Sequence, residues 1–311
     1  MNPALPPRLK AAADALLEGV SRKDLAARSA AISVQYRSGQ GSAGVVLSDA
    51  DTLAYLVVRL PATYAVNAAV LDEVRSAAPD FTPQSLLDVG AGPGTAAWAA
   101  RETFASLKTA TLTDSNNRFL ALAEHLVPDA QFLSRNLVTD DLPKADLVIA
   151  SFVLAELAQP PIAKLYAATN DVLVLIEPGT PQGFERLRTA RAQLIEQGAN
   201  ILAPCTHANA CPMSDTDWCH FTQRLPRSRD HMQTKGANVP YEDERYAYIA
   251  VGKTHRSAHE GRARILAPPR ETKPAIEFKL CTPTGLEMRT AAKRDKAAFA
   301  QVRKADWGDV V

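Results

Sequence analysis

One stretch of the sequence decides the fold: Leu86 to Gly94, which reads LLDVGAGPG. The apolar residues around Asp88 predict a short strand, the glycines predict a tight turn, and the alanine-rich residues from Thr95 onward predict a helix. Glycines remove side chains where a ligand must approach the backbone, and a helix N-terminus offers unpaired N–H groups with a partial positive charge. The stretch therefore predicts a binding site for the polar end of a ligand.

The spacing of the glycines indicates the class of ligand. Gly90, Gly92 and Gly94 form G-x-G-x-G instead of the G-x-G-x-x-G of dinucleotide-binding folds, and Asp88 stands two residues ahead of them. This variant resembles the S-adenosylmethionine (SAM) loop of class I methyltransferases, and it disfavours a nicotinamide-dependent dehydrogenase. The alternative interpretation is a strand-to-helix turn that binds nothing.

Composition limits the class of protein. The 311 residues are 46% hydrophobic, which is enough for a large core, yet no run approaches the ~20 apolar residues of a membrane span. The first ten residues lack the apolar segment of a signal peptide, so we expect a cytoplasmic protein. Residues 253–311 hold 13 Lys and Arg against 7 Asp and Glu, although the net charge of the chain is only +1. This asymmetry is a modest indication of a polyanionic partner, and an ordinary charged surface explains it equally well.

Helical and strand patterns follow one another along the chain. Helices are predicted over 9–20, 21–36, 48–60 and 62–77, and Ser48 is a candidate cap for the third. Strands at 86–90, 109–113, 130–134, 145–151 and 171–176 then alternate with helices near 94–106, 116–126, 160–169 and 181–197. This alternation predicts an α/β fold with a doubly wound parallel sheet. Strands near 245–251 and 262–267 are expected to complete seven strands as an antiparallel pair.

The same patterns divide the chain into five parts. These are a helical N-terminal subdomain (1–80), a SAM-binding core (81–200), a cysteine-rich insertion (201–240), the closing strands of the core (241–270) and a basic C-terminal extension (271–311). The extension is predicted to hold a hairpin of strands 275–281 and 286–290 followed by a basic helix. A basic stretch from Arg224 to Lys235 would suit phosphate contact or form a solvated loop.

Three polar residues at strand ends are candidates for binding SAM beside the glycine loop and Asp88. Asp114 ends the second strand, where a carboxylate accepts hydrogen bonds from ribose hydroxyls; its alternative role is to cap the next helix. Asn136 follows the third strand and could meet the adenine amine, although a loop asparagine is often only part of a turn. Ser151 ends the fourth strand and is the third of these candidates for binding SAM.

The position after the fourth strand lacks a recognisable catalytic pattern. Amino-methyltransferases acting on nucleic acid carry Asn/Asp-Pro-Pro-aromatic there, and enzymes that methylate cytosine carbon 5 carry a Pro-Cys nucleophile. This chain has Ser151-Phe152-Val153-Leu154 instead. Pro204-Cys205 comes one strand and one helix too late for that nucleophile. No catalytic residue is therefore assigned.

The cysteines all follow the predicted core. They are Cys205, Cys211, Cys219 and Cys281, and the first three form C-x5-C-x7-C. Their gathering in a protein expected to be intracellular favours a metal site over disulfides, and thiolates suit zinc or iron–sulfur clusters. The absence of a C-x2-C knuckle favours a cluster, while His207 and His220 keep zinc as the alternative. Four inert buried thiols are a third interpretation.

Three patterns together resemble one family. They are the glycine loop, the cysteine spacing with DWCHF at 217–221, and LCTPTGL at 280–286 followed by KRD at 293–295. The resemblance extends from Arg59 to Trp307 and is to the methyltransferase-like assembly factors of the small ribosomal subunit in bacteria and mitochondria.

The resemblance implies three properties. They are a class I methyltransferase fold that binds SAM, a 4Fe–4S cluster on Cys205, Cys211, Cys219 and Cys281, and association with the small subunit and its rRNA. Neither DNA nor a membrane is expected as a partner. The function is then either rRNA methylation or non-catalytic subunit assembly.

Overall fold

The N-terminal part of the protein is helical. The computed structural model describes residues 3–37, 42–214 and 216–311. The helices before the first strand are α1 (Pro7–Leu16), α2 (Arg22–Arg37), α3 (Ser42–Val45), α4 (Asp49–Val58) and α5 (Leu60–Ala77). The four predicted helices are confirmed, and α3 is additional; residues 1–2 and 38–41 of the predicted N-terminal subdomain lie outside the described residues. Ser48 caps α4 as predicted, because its hydroxyl accepts from Asp51 N while the Asp51 carboxylate accepts from Ser48 N.

The central sheet is mixed, with mostly parallel strands. In the described residues its eight strands are β1 (Ser85–Val89), β2 (Thr109–Asp114), β3 (Gln131–Ser134), β4 (Ala145–Ser151), β5 (Thr169–Pro178), β6 (Asn200–Ala203), β7 (Phe221–Pro226) and β8 (Tyr241–Gly252). The helices between them are α6 (Thr95–Thr103), α7 (Asn117–Leu126), α8 (Ile162–Ala168), α9 (Pro181–Glu196) and α10 (Arg229–Lys235).

The strand order is β3-β2-β1-β4-β5-β8-β6. Strands β1 to β5 are parallel, and β8 runs antiparallel between β5 and β6 while its first half pairs with β7. The predicted doubly wound α/β fold is confirmed.

Alternation along the inner strands places the two faces of the sheet in separate cores. In β4, Leu147 and Ile149 belong to the apolar core that contains α5 and α6, whereas Val148 and Ala150 belong to the core that contains α8 and α9. All four side chains have no exposed surface. Because both faces are covered, these strands appear in the sequence as continuous apolar runs.

One predicted strand lies in a different sheet. The expected strand at 262–267 is reduced to β9 (Arg264–Ile265), which pairs with β11 in a second, four-stranded sheet and does not close the central one. The central sheet is closed instead by β6 and β8, and β7 makes it eight-stranded rather than seven-stranded. The prediction was wrong because the apolar residues around Ile265 are buried by Phe278 and Leu280 of the second sheet.

The C-terminal part forms that second sheet. It contains β9, β10 (Arg270–Glu271), β11 (Ala275–Thr282) and β12 (Gly285–Ala292), and α11 (Lys296–Val302) follows. The predicted hairpin is confirmed, with Thr282 opposite Gly285, and it carries Cys281 to the end of β11 beside Arg264.

No single helix among these residues is long and apolar enough to cross a membrane. Taken together across a bend of 52°, α4 and α5 pass the same test of length and composition.

Candidate functional site

A pocket opens at the carboxyl ends of β1, β2 and β4. Six of the seven residues predicted to bind SAM line it: Asp88, Gly90, Gly92, Asp114, Asn136 and Ser151. The seventh, Gly94, is the N-cap of α6. Tyr55, Thr63 and Asn67 from the N-terminal helices also line it. Sequence reasoning missed these three residues because they reach the pocket through tertiary packing alone.

The three glycines of the loop meet different requirements. All have positive φ, of 65° at Gly90, 52° at Gly92 and 81° at Gly94. A Cβ at Gly90 would lie 2.4 Å from Val153, and one at Gly94 would lie 2.7 Å from Val127, whereas one at Gly92 would meet nothing within 4 Å. Packing therefore requires glycine at the outer two positions, and Gly92 is the position where the backbone borders open pocket space.

The Asp114 carboxylate holds the glycine loop against the end of β2. Its Oδ2 accepts from Gly92 N at 2.9 Å and its Oδ1 accepts from Asn116 N at 2.8 Å. Burial raises the pKa of Asp114. The alternative that Asp114 caps the next helix is wrong, since the side chain of Asn116 caps α7 by accepting from Arg118 N. Contact between Asp114 and a ribose stays a prediction.

Asp88 connects β1 to the helix after the loop. Its side chain is 1% exposed, and its Oδ2 accepts from Ala97 N at 3.2 Å. Burial, with a smaller contribution from the charge of Asp114, raises its pKa to about 7 against the opposing hydrogen bond from Ala97 N. Asp88 therefore joins the end of β1 to the first turn of α6 and so stabilises the loop between them.

Asn136 forms the turn that was its alternative role. Its side-chain oxygen accepts from Val138 N at 2.9 Å, and its own N–H donates to Asp140. The residue nevertheless lines the pocket. Its contact with adenine stays a prediction.

The backbone at the end of β4 is unusual. Phe152 has φ of 60°, a left-handed conformation that is rare for a bulky residue, and its N–H donates to Ile176 O at 2.8 Å. The Arg59 guanidinium lies 5.9 Å from the centre of the Phe152 ring. The neighbouring Val153 packs against Gly90. The position where methyltransferases carry their reacting groups is thus occupied by an aromatic ring and an apolar side chain.

The four cysteines meet in a second pocket, next to β8 and the second sheet. All four line it, and all are free thiols. Burial raises the pKa of Cys205 and Cys219, and it raises the pKa of Cys281 to about 12. The hairpin brings Cys281 to the three cysteines of the insertion.

Two buried arginines flank the thiols. Arg191 donates to the carbonyl oxygens of His207 and Asn209, each at 2.8 Å, and Arg264 donates to Pro204 O at 2.9 Å. Their side chains are 7% and 2% exposed, and their positive charges lower the pKa of Cys205. The cysteine pocket therefore has positive charge beside it.

The two histidines considered as zinc ligands lie in different places. His207 Nε2 is 3.5 Å from Cys281 Sγ. His220 instead stacks on Trp218 and meets the edge of Trp307, with ring centres 5.2 Å and 5.0 Å apart, and it does not line the cysteine pocket. Within the described ranges, no group of three or more His, Cys, Asp or Glu side chains is arranged to hold a metal ion.

Acidic residues of β8 accompany the basic stretch from Arg224 to Lys235. Arg224 pairs with Asp243 at 2.7 Å, and Lys235 pairs with Glu242 at 2.5 Å. Contacts with His231 and Lys235 hold the pKa of Glu242 down at about 2, against the effect of its burial. The stretch forms β7 and α10, so its alternative as a solvated loop is wrong, and much of its charge is neutralised.

Comparison with known proteins points to one family. The model of a family described as mitochondrial small ribosomal subunit Rsm22 matches residues 49–311. The chain is 26% identical over 289 residues to the human ribosome assembly protein METTL17, mitochondrial, covering 84% of this chain and 62% of that protein. It is 24% identical over 332 residues to the mitochondrial Rsm22-cox11 tandem proteins 1 and 2 of Schizosaccharomyces pombe, covering 85% of this chain and 43% of each relative. The chain thus spans less than two thirds of the length of these relatives.

Solved structures with a similar fold include methyltransferases. The precorrin-6y C5,15-methyltransferase of Geobacter metallireducens matches with a TM-score of 0.39 and 15% identity, over 60% of this chain and 86% of that chain. The ribosomal protein L11 methylase of Lactobacillus delbrueckii matches with a TM-score of 0.36 and 15% identity, over 60% and 78% of the two chains.

The relatives contradict one expectation. The family and the curated relatives are named as mitochondrial, so the predicted cytoplasmic location is wrong on this comparison. The prediction rested on the absence of a signal peptide, and that criterion tests only for secretion.

Proposed function

Because this chain belongs to the Rsm22 family of mitochondrial small-ribosomal-subunit proteins, we propose that it is a SAM-binding, rRNA methyltransferase-like protein that acts on the small ribosomal subunit. The proposal that the protein binds SAM is supported by the pocket at the carboxyl ends of the strands, which the glycine loop, Asp114 and Ser151 line together. The family match supports the proposal that it acts on the small ribosomal subunit.

The pocket offers complementary groups along its length. Asp114 retains acceptor capacity for ribose hydroxyls, because a carboxylate has about four lone-pair positions and the backbone N–H groups of Gly92 and Asn116 occupy only part of them. Gly92 allows close approach because no side chain projects there. Asn136 would meet the adenine amine at the end of β3. When bound, SAM supplies an activated methyl group, while these residues bind and orient it.

A second function is favoured by the residues after β4. Phe152 and Val153 occupy the reactive position, and neither can move a proton or attack a substrate. The protein would then be a non-catalytic assembly factor that keeps the methyltransferase fold to bind rRNA.

A crosslinking experiment separates the two functions. The protein is crosslinked to ribosomal RNA in cells, and methylation is mapped at the crosslinked nucleotides in strains with and without it. Loss of methylation at a crosslinked site is expected for an enzyme, and unchanged rRNA methylation in the deletion strain would exclude methylation of rRNA. Gly92→Asp tests the second function, which fails if the variant loses SAM binding and rRNA methylation but assembles subunits normally.

We further propose that Cys205, Cys211, Cys219 and Cys281 bind a 4Fe–4S cluster. Four free thiols around one pocket support this ligand set, since each thiolate binds a different iron and the sulfurs do not have to converge on one point. The buried guanidinium of Arg191 would offset the negative charge of four thiolates. When bound, the cluster would join the insertion to the C-terminal hairpin covalently.

Anaerobic purification tests the cluster. We expect a brown protein with broad absorption near roughly 400 nm, as is usual for iron–sulfur thiolate ligation, together with iron and acid-labile sulfide in equal amounts. A colourless protein with stoichiometric zinc and no sulfide would show that the zinc alternative is correct.

A further inference from the structure

The amide of Asn67 has a fixed orientation beside the SAM pocket. Asn67 lies in α5 and is 1% exposed, and its Nδ2 donates to Thr63 O at 2.8 Å and to Ser151 Oγ at 3.0 Å. A backbone carbonyl can only accept a hydrogen bond, so the amide atom that faces Thr63 O must be the nitrogen. The position of Oδ1 follows from this assignment.

The oxygen of the same amide is unsatisfied. Asn67 Oδ1 is buried and has no hydrogen-bond partner among the described residues, and Asn67 is part of the pocket lining. A buried carbonyl oxygen without a donor is costly, and such groups usually have a partner. An N–H group of a bound ligand would satisfy it.

The order of the strands indicates which part of the ligand lies there. Strands β3, β2, β1 and β4 are neighbours, and three spacings between strands cover about 14 Å. If adenine lies near Asn136 at β3 and ribose near Asp114 at β2, the rest of SAM extends past β1 to β4. Asn67 is bonded to Ser151 at the end of β4. In that orientation, the amino-acid part of SAM would lie beside Asn67.

The charges at this end of the pocket suit a cation. Glu156 lines the pocket just after β4, and the nearby Arg59 is already paired with Glu244 at 3.1 Å. The amino-acid part of SAM carries an ammonium group with three N–H donors. We propose that Asn67 Oδ1 accepts a hydrogen bond from this ammonium and so fixes the amino-acid end of SAM. This inference rests on the proposed SAM binding.

Binding of three adenosyl compounds to the full chain tests the role of Asn67. Calorimetry compares S-adenosylhomocysteine, its analogue 4-(5′-adenosylthio)butanoate, which lacks only the amino group, and 5′-methylthioadenosine, which lacks the amino-acid part. Asn67→Ala is expected to weaken S-adenosylhomocysteine binding by about tenfold or more, the effect of one hydrogen bond to a charged group. Its affinities for the other two compounds should match those of the wild type.

Equal weakening of all three compounds by Asn67→Ala, or no weakening of any, would overturn the role of Asn67. If Asn67→Ala does not fold, Asn67→Ser replaces it with the same expected pattern, since its hydroxyl can still donate to Thr63 O. A wild-type protein that binds none of the compounds contradicts SAM binding itself, so failure of the proposed function is distinguishable from failure of this inference.

Discussion

Replacement of Arg264 by methionine tests how the cysteine insertion, the N-terminal helices and the C-terminal residues are held together. The Arg264 guanidinium is 2% exposed, pairs with Glu73 at 2.6 Å, and donates to the carbonyl oxygens of Pro204 and Gly308. Pro204 directly precedes the first cysteine of the insertion, and Glu73 belongs to α5. One side chain thus connects three distant segments, and methionine would fill its volume without its hydrogen bonds.

The expected loss of stability follows from these contacts. Without the guanidinium, the carbonyl oxygens of Pro204 and Gly308 lose a donor, at about 1–3 kcal/mol each. Glu73 is 35% exposed, so water can solvate its carboxylate and the lost pair adds little. We expect Arg264→Met to lower the free energy of unfolding by about 2–6 kcal/mol, because two carbonyl oxygens lose their donor.

Urea unfolding of the wild type and two variants measures this loss. Glu73→Gln is the matched control, because it removes the carboxylate charge but leaves both carbonyl contacts of Arg264, and it should cost less than about 1 kcal/mol. The reasoning is refuted if Arg264→Met unfolds within about 1 kcal/mol of the wild type, or if the two variants lose equal stability.

Further predictions concern the loop, pH and the cysteines. Gly92→Ala should abolish SAM binding and cost only about 1–2 kcal/mol of stability, from the left-handed backbone alone. Gly94→Ala should cost about 2–5 kcal/mol because its Cβ would also overlap Val127; equal urea midpoints for the two variants would contradict this distinction. The folded chain keeps a proton on Asp88 up to about pH 7, whereas the unfolded chain releases it near pH 3.8, so stability should fall as pH rises between these values. Unfolding at a series of pH values should give a smaller slope for Asp88→Asn, and an unchanged slope would count against burial as the cause. Cys281→Ser should remove absorption near roughly 400 nm and lower the thermal midpoint, since metal binding contributes to folding energy; a variant that keeps the absorption would remove Cys281 from the ligand set.

The parallel half of the sheet was predictable because its strands are buried on both faces. Residues such as Val148 and Val174 lie in unbroken apolar runs, and each run is bounded by turn residues. By contrast, β6 has only four residues and ends at Ala203, just before Pro204, and its partner β8 begins almost 40 residues later. Sequence patterns report local burial, and a short strand whose pairing is distant leaves little local signal.

The candidate sites were also predictable only where their residues follow a local sequence pattern. Glycine spacing predicted the loop, and cysteine spacing predicted that three thiols would lie together, with Cys281 carried to them by a recognisable hairpin. No local pattern indicated that Asn67 would reach Ser151, because that contact joins two residues 84 positions apart. Nor could charge counting show that Asp243 neutralises Arg224 from the next strand.

The antiparallel strand β8 also constrains the order in which the protein can fold during translation. Three strands, β5, β6 and β7, take β8 as a neighbour. While the ribosome is still synthesising residues 204–240, β6 has no partner and one edge of β5 is open to other chains. A nascent chain that pauses there would expose this edge, so completion of the sheet depends on residues that are made last in the domain.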